Sequence, residues 1–229
     1  FVEKPLAIDM DGLERVERTY EDLFERGKAP LLMVGFNRRF APHIRKMREL
    51  LGSRRLPKTF IMTVNAGDIP GDHWTQDPNC GGGRIIGEGC HFVDLLRFLA
   101  DRPISHLQSM AVGDVDGVEI PEDKMTITMR FEDGSLGTIH YFANGDKSFP
   151  KERLEVFSEG AILQLDNFIK LNGFGWPGFK SERLWSQDKG NAACIKAFIE
   201  AIESGAPSPI PVGELFEVAR ATFEASTLR

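Results

Sequence analysis

The chain has 229 residues, with 28 basic against 34 acidic side chains for a formal net charge of −6, and it is 41% hydrophobic and 27% charged. The acidic balance argues against a partner held mainly by phosphate electrostatics, so no nucleic acid is expected, and the composition is that of a globular chain, not a disordered one. No stretch reaches the roughly 18 apolar residues of a membrane span, and the opening Phe1-Val2-Glu3-Lys4-Pro5 has no signal-peptide pattern; a soluble, cytoplasmic protein without a membrane partner is expected.

In chain order, Phe1 and Val2 read as the end of a buried strand. Leu13, Val16, Tyr20, Leu23 and Phe24 then recur at helical spacing, with Asp9 or Asp11 as N-cap and Gly27 as stop. Leu31 to Val34 is an unbroken apolar run ending at Gly35-Phe36, as for a parallel strand covered on both faces. Strand, helix, strand is one βαβ unit, which cannot bury its own sheet. Residues 1–36 are therefore expected to be the last βαβ unit of a larger doubly wound domain, and residues 37–229 a second domain.

Past Pro42 a helix (Ile44, Met47, Leu50, Leu51) closes at Gly52 and a strand runs from Lys58 to Val64. After a loop and a further helix, strands dominate: Ile104 to Val112, Lys124 to Phe131, Ser135 to Ala143, Arg153 to Ser158, Ala161 to Asp166 and Phe168 to Leu171. Met125, Ile127, Met129 and Phe131 alternate with Thr126, Thr128 and Arg130, so one face is apolar and one more polar. Asp133-Gly134 and Asn172-Gly173 are hairpin-type dipeptides. Two helices close the chain, Asn191 to Glu203, stopped by Gly205, and Gly213 to about Thr227. The expected fold class is α/β (α+β): an open, mainly antiparallel sheet with helices on one face, its uncovered face a surface for homo-oligomer formation.

Cys80, Cys90 and Cys194 are too few and too scattered for a disulfide framework or a familiar zinc spacing, so reduced thiols and no metal are expected. The glycine-dense run from Gly81 to Gly89 fails as a dinucleotide fingerprint: it lacks the G-x-G-x-x-G spacing and follows no strand. It reads instead as a glycine-rich helix entry that lets the backbone approach another segment or a ligand. On that helix Glu88, His91 and Asp94 are three apart and so share one side, where a carboxylate beside an imidazole suits proton transfer, or else forms a surface pair. Lys4 ends the first strand, where ligands bind in open α/β sheets, and Asn37-Arg38-Arg39-Phe40 ends the next. Its arginines either hold anionic groups or are solvated.

Glu3-Lys4-Pro5, Gly35-Phe36-Asn37-Arg38-Arg39-Phe40, Trp74, Asp77-Pro78, Gly81-Gly82-Gly83 and Gly89-Cys90-His91 with Asp94, in this order, resemble the Gfo/Idh/MocA family, the glucose-fructose oxidoreductase and inositol dehydrogenase group. The resemblance implies a truncated Rossmann domain ahead of the sheet domain, and hydride transfer between NAD or NADP and a carbinol carbon of a sugar, nucleotide sugar or cyclitol. It implies catalytic roles for Lys4 and His91, with Glu88 supporting. Arg38, Trp74 and Asp94 would bind substrate, and Glu3, Lys4, Pro5 and Asn37 would contact the cofactor, which residues 1–229 alone are not expected to bind tightly. The family's D-x-G-x-H motif is broken: Gly87 stands in the Asp position, with Glu88 next to it. The wording from Gly83 to Asp94, with Asn65-Ala66-Gly67 and Gln187-Asp188-Lys189-Gly190, is similar to a subgroup fused to an alcohol-dehydrogenase-like region. A non-catalytic nucleotide- or sugar-sensing or scaffold protein of the same fold is the alternative.

Overall fold

A computed structural model describes residues 1–227 of the chain. Helix α1 (Met10–Glu25) starts at Asp9, whose side chain accepts from the Gly12 N–H at 2.6 Å, and ends before Gly27 at φ +66°. Its buried Leu13 packs against Phe216, Ala219 and Phe223. The strand expected at 31–34 is not a ladder. Val2 and Val34 form a single parallel bridge, in which Val2 N–H donates to Met33 O and Gly35 N–H to Val2 O, both at 2.9 Å, and the pairing goes no further among the described residues. Asn37–Phe40 is one buried 3₁₀ turn that leads into α2 (Pro42–Leu51), with proline in the first turn and Gly52 at the end.

The eight strands are β1 (Thr59–Asn65), β2 (Ile104–Ala111), β3 (Lys124–Phe131), β4 (Leu136–Phe142), β5 (Glu152–Ser158), β6 (Ala161–Asp166), β7 (Lys170–Phe174) and β8 (Ser181–Arg183), in the order β2-β3-β4-β1-β5-β6-β7-β8. Among the strand pairs of the described residues, β1 with β4 alone is parallel and the rest are antiparallel. Inward-facing Phe60, Met62, Val64, Met125, Ile127, Met129, Ile139, Tyr141, Leu154, Val156 and Leu163 are at most 1% exposed, each contributing about 1.5–3 kcal/mol by leaving water. The outer face carries Thr63, Thr128 and Thr138 with the exposed Leu136, Phe142 and Phe157.

A π-helical turn (Ile85–Gly89) runs directly into α3 (Cys90–Ala100). With α2 and α5 (Val212–Thr227), α3 covers the inner face: Ile44, Met47, Leu95, Leu96, Leu99, Leu215 and Val218 join the strands in one core, which also takes in Met33 and Val34. Leu96 lies so close to β4 that a Cβ on Gly137 would be 3.0 Å from it. Helix α4 (Asn191–Ser204) ends at Gly205.

One turn and one strand boundary are corrected. Asn172-Gly173 lies inside β7, where Asn172 pairs with both Gln164 and Ser181. The β6–β7 reversal is Asn167-Phe168, at φ +47° and +56°. Positive φ at both central residues matches the twist of the flanking strands, and Phe168, fully buried, is held there by packing. Phe168 therefore belongs to the turn and not to the strand expected from 168 to 171.

Candidate functional site

The glycine-dense run is spent on internal contacts. Gly81 and Gly82 donate their N–H groups to Asp77 O at 2.9 and 3.0 Å, and Gly83 donates to Thr75 O at 3.1 Å. None of the three is left to cradle a phosphate. A Cβ on Gly81 would sit 2.5 Å from Thr75 Cα, so this is a close approach between chain segments, as the glycine content suggests. The π turn that follows widens the helix by one residue and presents the carbonyl of Gly87, which accepts from Lys4 Nζ at 2.7 Å. That bond ties the segment just after the Val2 bridge to the turn that leads into α3.

Glu88 does not reach His91. One carboxylate oxygen accepts from Lys151 Nζ at 2.6 Å, and the other from Tyr141 Oη at 2.6 Å and Arg84 Nη2 at 3.0 Å. Burial alone would raise its pKa, but the charge of Lys151 and these donors override it and hold the carboxyl at about 2. Arg84 is fixed in turn by the carbonyls of Gly67, at 2.5 Å, and Ala66, at 3.1 Å.

His91 is 6% exposed, its ring edge-to-face with Phe36 at 6.1 Å, and its buried Nδ1 has no hydrogen-bond partner among the described residues. Burial first, then the charges of Arg38 and Lys4, hold its pKa well below 6.5, against the weaker pull of Glu88. The imidazole is therefore neutral at physiological pH. Arg38 is buried and points inward, stacked over Phe92 at 4.9 Å, and binds Glu152 in a fork: Nε to Oε2 at 2.9 Å and Nη2 to Oε1 at 2.8 Å. Lys189 Nζ joins the same carboxylate at 2.6 Å. Burial would raise Glu152, yet the Arg38 fork keeps its pKa lowered.

The row of Glu88, His91 and Asp94 is therefore not a triad. Asp94, fully buried, faces Arg39 (Nε at 2.8 Å), which also donates to Glu214 at 2.6 Å. Burial raises Asp94 to about 6 against the opposing charge of Arg39. The pair is sealed, so Asp94 presents no face to a ligand. Neither arginine is solvated and neither is free to hold an outside anion, because each answers a buried carboxylate. The Asn37 amide nitrogen is likewise engaged, donating to Lys189 O at 2.8 Å and Asn191 Oδ1 at 3.2 Å. Trp74 is 61% exposed on the loop ahead of Gly81, and Glu3 is exposed beside Gly35. Lys4, Pro5, Arg38, Glu88 and His91 thus gather around the start of α3. Asp94 lies behind them, whereas Trp74 is on the loop ahead of Gly81, with its ring against His73.

Sequence reasoning missed Glu152, Lys189, Tyr141, Lys151 and Arg84. One signal was readable: Glu152 occupies an inward position of β5, in step with Leu154 and Val156, and a carboxylate there demands buried cations. The three cysteines are free, Cys80 exposed and the others buried; burial pushes the Cys90 thiol up to about 12. A groove of about 1230 Å³ lies elsewhere, between Tyr20 and Phe24 of α1 and Pro207 and Phe216. No helix of the described residues is long and apolar enough to cross a membrane.

The family model of the GFO/IDH/MocA C-terminal domain matches residues 44–164, more than half of the chain. Myo-inositol 2-dehydrogenase of Thermotoga maritima is 25% identical over 171 residues, covering 73% of this chain and 49% of that protein. Inositol 2-dehydrogenase of Rhizobium meliloti is 26% identical over 223 residues, covering 90% of this chain and 63% of that protein. The chain thus spans between about half and two thirds of these relatives' length. A levoglucosan dehydrogenase solved with NADH and levoglucosan shares the fold, with a TM-score of 0.76 over 98% of this chain and 70% of that one, at 17% identity.

Proposed function

Since this chain belongs to the Gfo/Idh/MocA family and carries its C-terminal domain, we propose that it is the substrate-binding part of an NAD(P)-dependent oxidoreductase acting on a carbinol carbon of a sugar, nucleotide sugar or cyclitol. The curated relatives named as inositol dehydrogenases support this reading. The observation that carries it is His91: a buried, neutral imidazole with an unpartnered nitrogen, set among Lys4, Arg38 and Lys189.

The nicotinamide, when bound, accepts or returns the hydride. The residues present fit that end of a cofactor only, because Lys4, with Glu3 and Pro5, follows the Val2 bridge beside the turn into α3 while the Gly81–Gly83 N–H groups are already taken. His91 takes the hydroxyl proton as the C–H bond opens and the carbonyl forms. Its low pKa keeps it unprotonated and available, and the surrounding positive charge acidifies the hydroxyl it must deprotonate. Lys4 spends one of its three N–H bonds on Gly87 O, and the others hold the reacting oxygen. Glu88 acts as a positioning residue, fixing Tyr141, Lys151 and Arg84 as one wall, and Trp74 contacts substrate from the loop ahead of Gly81.

His91→Asn should lower kcat by about 10²–10⁴, with cofactor affinity unchanged; near-normal kcat would refute the assignment. A sensing or scaffold role is favoured by one observation, that no carboxylate bonds to His91 among the described residues. Sugar binding without any turnover would decide for it. We also assign the outer sheet face, with Leu136, Phe142 and Phe157 exposed on it, to association between copies of the chain.

A further inference from the structure

The cluster at the start of α3 holds more positive than negative charge, although the chain as a whole is acidic. Lys4, Arg38, Lys189, Lys151 and Arg84 face only Glu88 and Glu152 as carboxylates within hydrogen-bond reach of the cations. Glu152 answers two cations with a single charge. Glu88 does the same for Lys151 and Arg84, while Lys4 has only a neutral carbonyl. Of the acids nearby, Asp94 is matched by Arg39, and Asp188 turns back to accept from Gly190 N–H at 2.7 Å. The neutral His91 adds nothing to balance.

Arg38 and Arg84 are buried while Lys4, Lys151 and Lys189 are partly buried, and an excess of positive charge held partly out of water costs free energy unless something negative meets it. We propose that the site takes a sugar bearing a carboxylate or phosphate close to the reacting carbinol, and that Lys189 reads that negative charge. This rests on the sugar-oxidoreductase reading above and narrows it. Arg38 is 6% exposed at its side chain and locked in its fork, whereas Lys189 is 21% exposed and holds Glu152 through one of its three donors. Lys189 therefore joins the buried floor to the open side. Its position is fixed: its carbonyl accepts from Asn37, and Gly190, at φ +82°, packs so tightly that a Cβ would lie 2.5 Å from Asn37 O.

The test is calorimetric titration of the full-length protein, without cofactor, with glucuronate, glucose 6-phosphate, glucose, myo-inositol and inorganic phosphate. The two anionic sugars should bind at least about tenfold tighter than the neutral ones, and the gap should narrow with added salt. Lys189→Met should close the gap to within about threefold, while Lys189→Arg, which keeps the charge, should preserve it; unchanged thermal unfolding of both variants shows that the fold is intact. Equal binding of charged and neutral sugars, or a preference untouched by Lys189→Met, overturns this inference and leaves the sugar reading standing. Inorganic phosphate binding as tightly as glucose 6-phosphate also overturns it, because the sugar would then contribute nothing. Failure of all four sugars overturns both.

Discussion

Replacing Glu88 with glutamine isolates what its charge contributes. The side chain is 20% exposed and its folded pKa is about 2 against an ordinary 4.5, which corresponds to about 3 kcal/mol of stability at neutral pH. A carboxyl whose pKa falls on folding contributes stability above its unfolded pKa and loses it as pH drops through the folded value. Glutamine still offers Tyr141 an oxygen, Arg84 keeps the Gly67 and Ala66 carbonyls, and Lys151 is exposed enough to be solvated. The loss is therefore the charge-assisted part alone. Urea unfolding of wild type and Glu88→Gln should differ by about 3 kcal/mol at pH 7, and by less than half of that near pH 3, where the unfolded carboxyl is already protonated. A difference below about 1 kcal/mol at pH 7, or one constant between pH 7 and 3, would refute the claim that Lys151, Tyr141 and Arg84 hold an ionised Glu88.

Because burial, Arg38 and Lys4 keep His91 neutral well below 6.5, kcat/KM should not fall with a midpoint near 6.5 as the pH is lowered; an acid limb centred there would contradict the site as described. Gly190→Ala should destabilise by more than about 2 kcal/mol in thermal or urea unfolding, combining a φ of +82° with overlap onto Asn37 O and Phe40 C; a neutral effect would mean that the α4 entry is looser than it stands here. Light scattering at tens of micromolar should report a species larger than the monomer, and a clean monomer would end the assignment of the outer sheet face.

Periodicity and end signals made most elements legible. Asp9 or Asp11 as cap, of which the structure uses Asp9, Gly27 as stop and the alternation of Met125 to Phe131 made α1 and β3 legible within a residue or two, because local capping and burial decide them. Asn172-Gly173 misled because turn propensity is weaker than register: the hydrophobic pattern of β6 and β7 put the reversal at Asn167-Phe168, against the preference of phenylalanine. The π turn was invisible, since an inserted residue leaves no compositional trace, and it sent Glu88 away from His91. The site residues near the motifs, Lys4, Arg38, Glu88 and His91, were readable as a set, but their partners were not. Arg38 meets Glu152 across 114 residues of chain and Lys4 meets Gly87 across 83. Such pairings follow from the assembled sheet and not from spacing.

The central position of β1 has a consequence for how the molecule comes together. Thr59 pairs with Leu136 on one side and Phe157 on the other, so β1, the first of these eight strands in the chain, has no sheet neighbour until β4 and β5 have been made. Its sheet pairing must wait while α3, β2 and β3 are added. Closure of loops this long is slow, and an unpaired hydrophobic strand is a template for wrong partners. In the finished fold α2, made before β1, and α3, made after it, share one core with Phe60, Met62 and Val64, so the segment that carries His91 is also part of what covers the central strand.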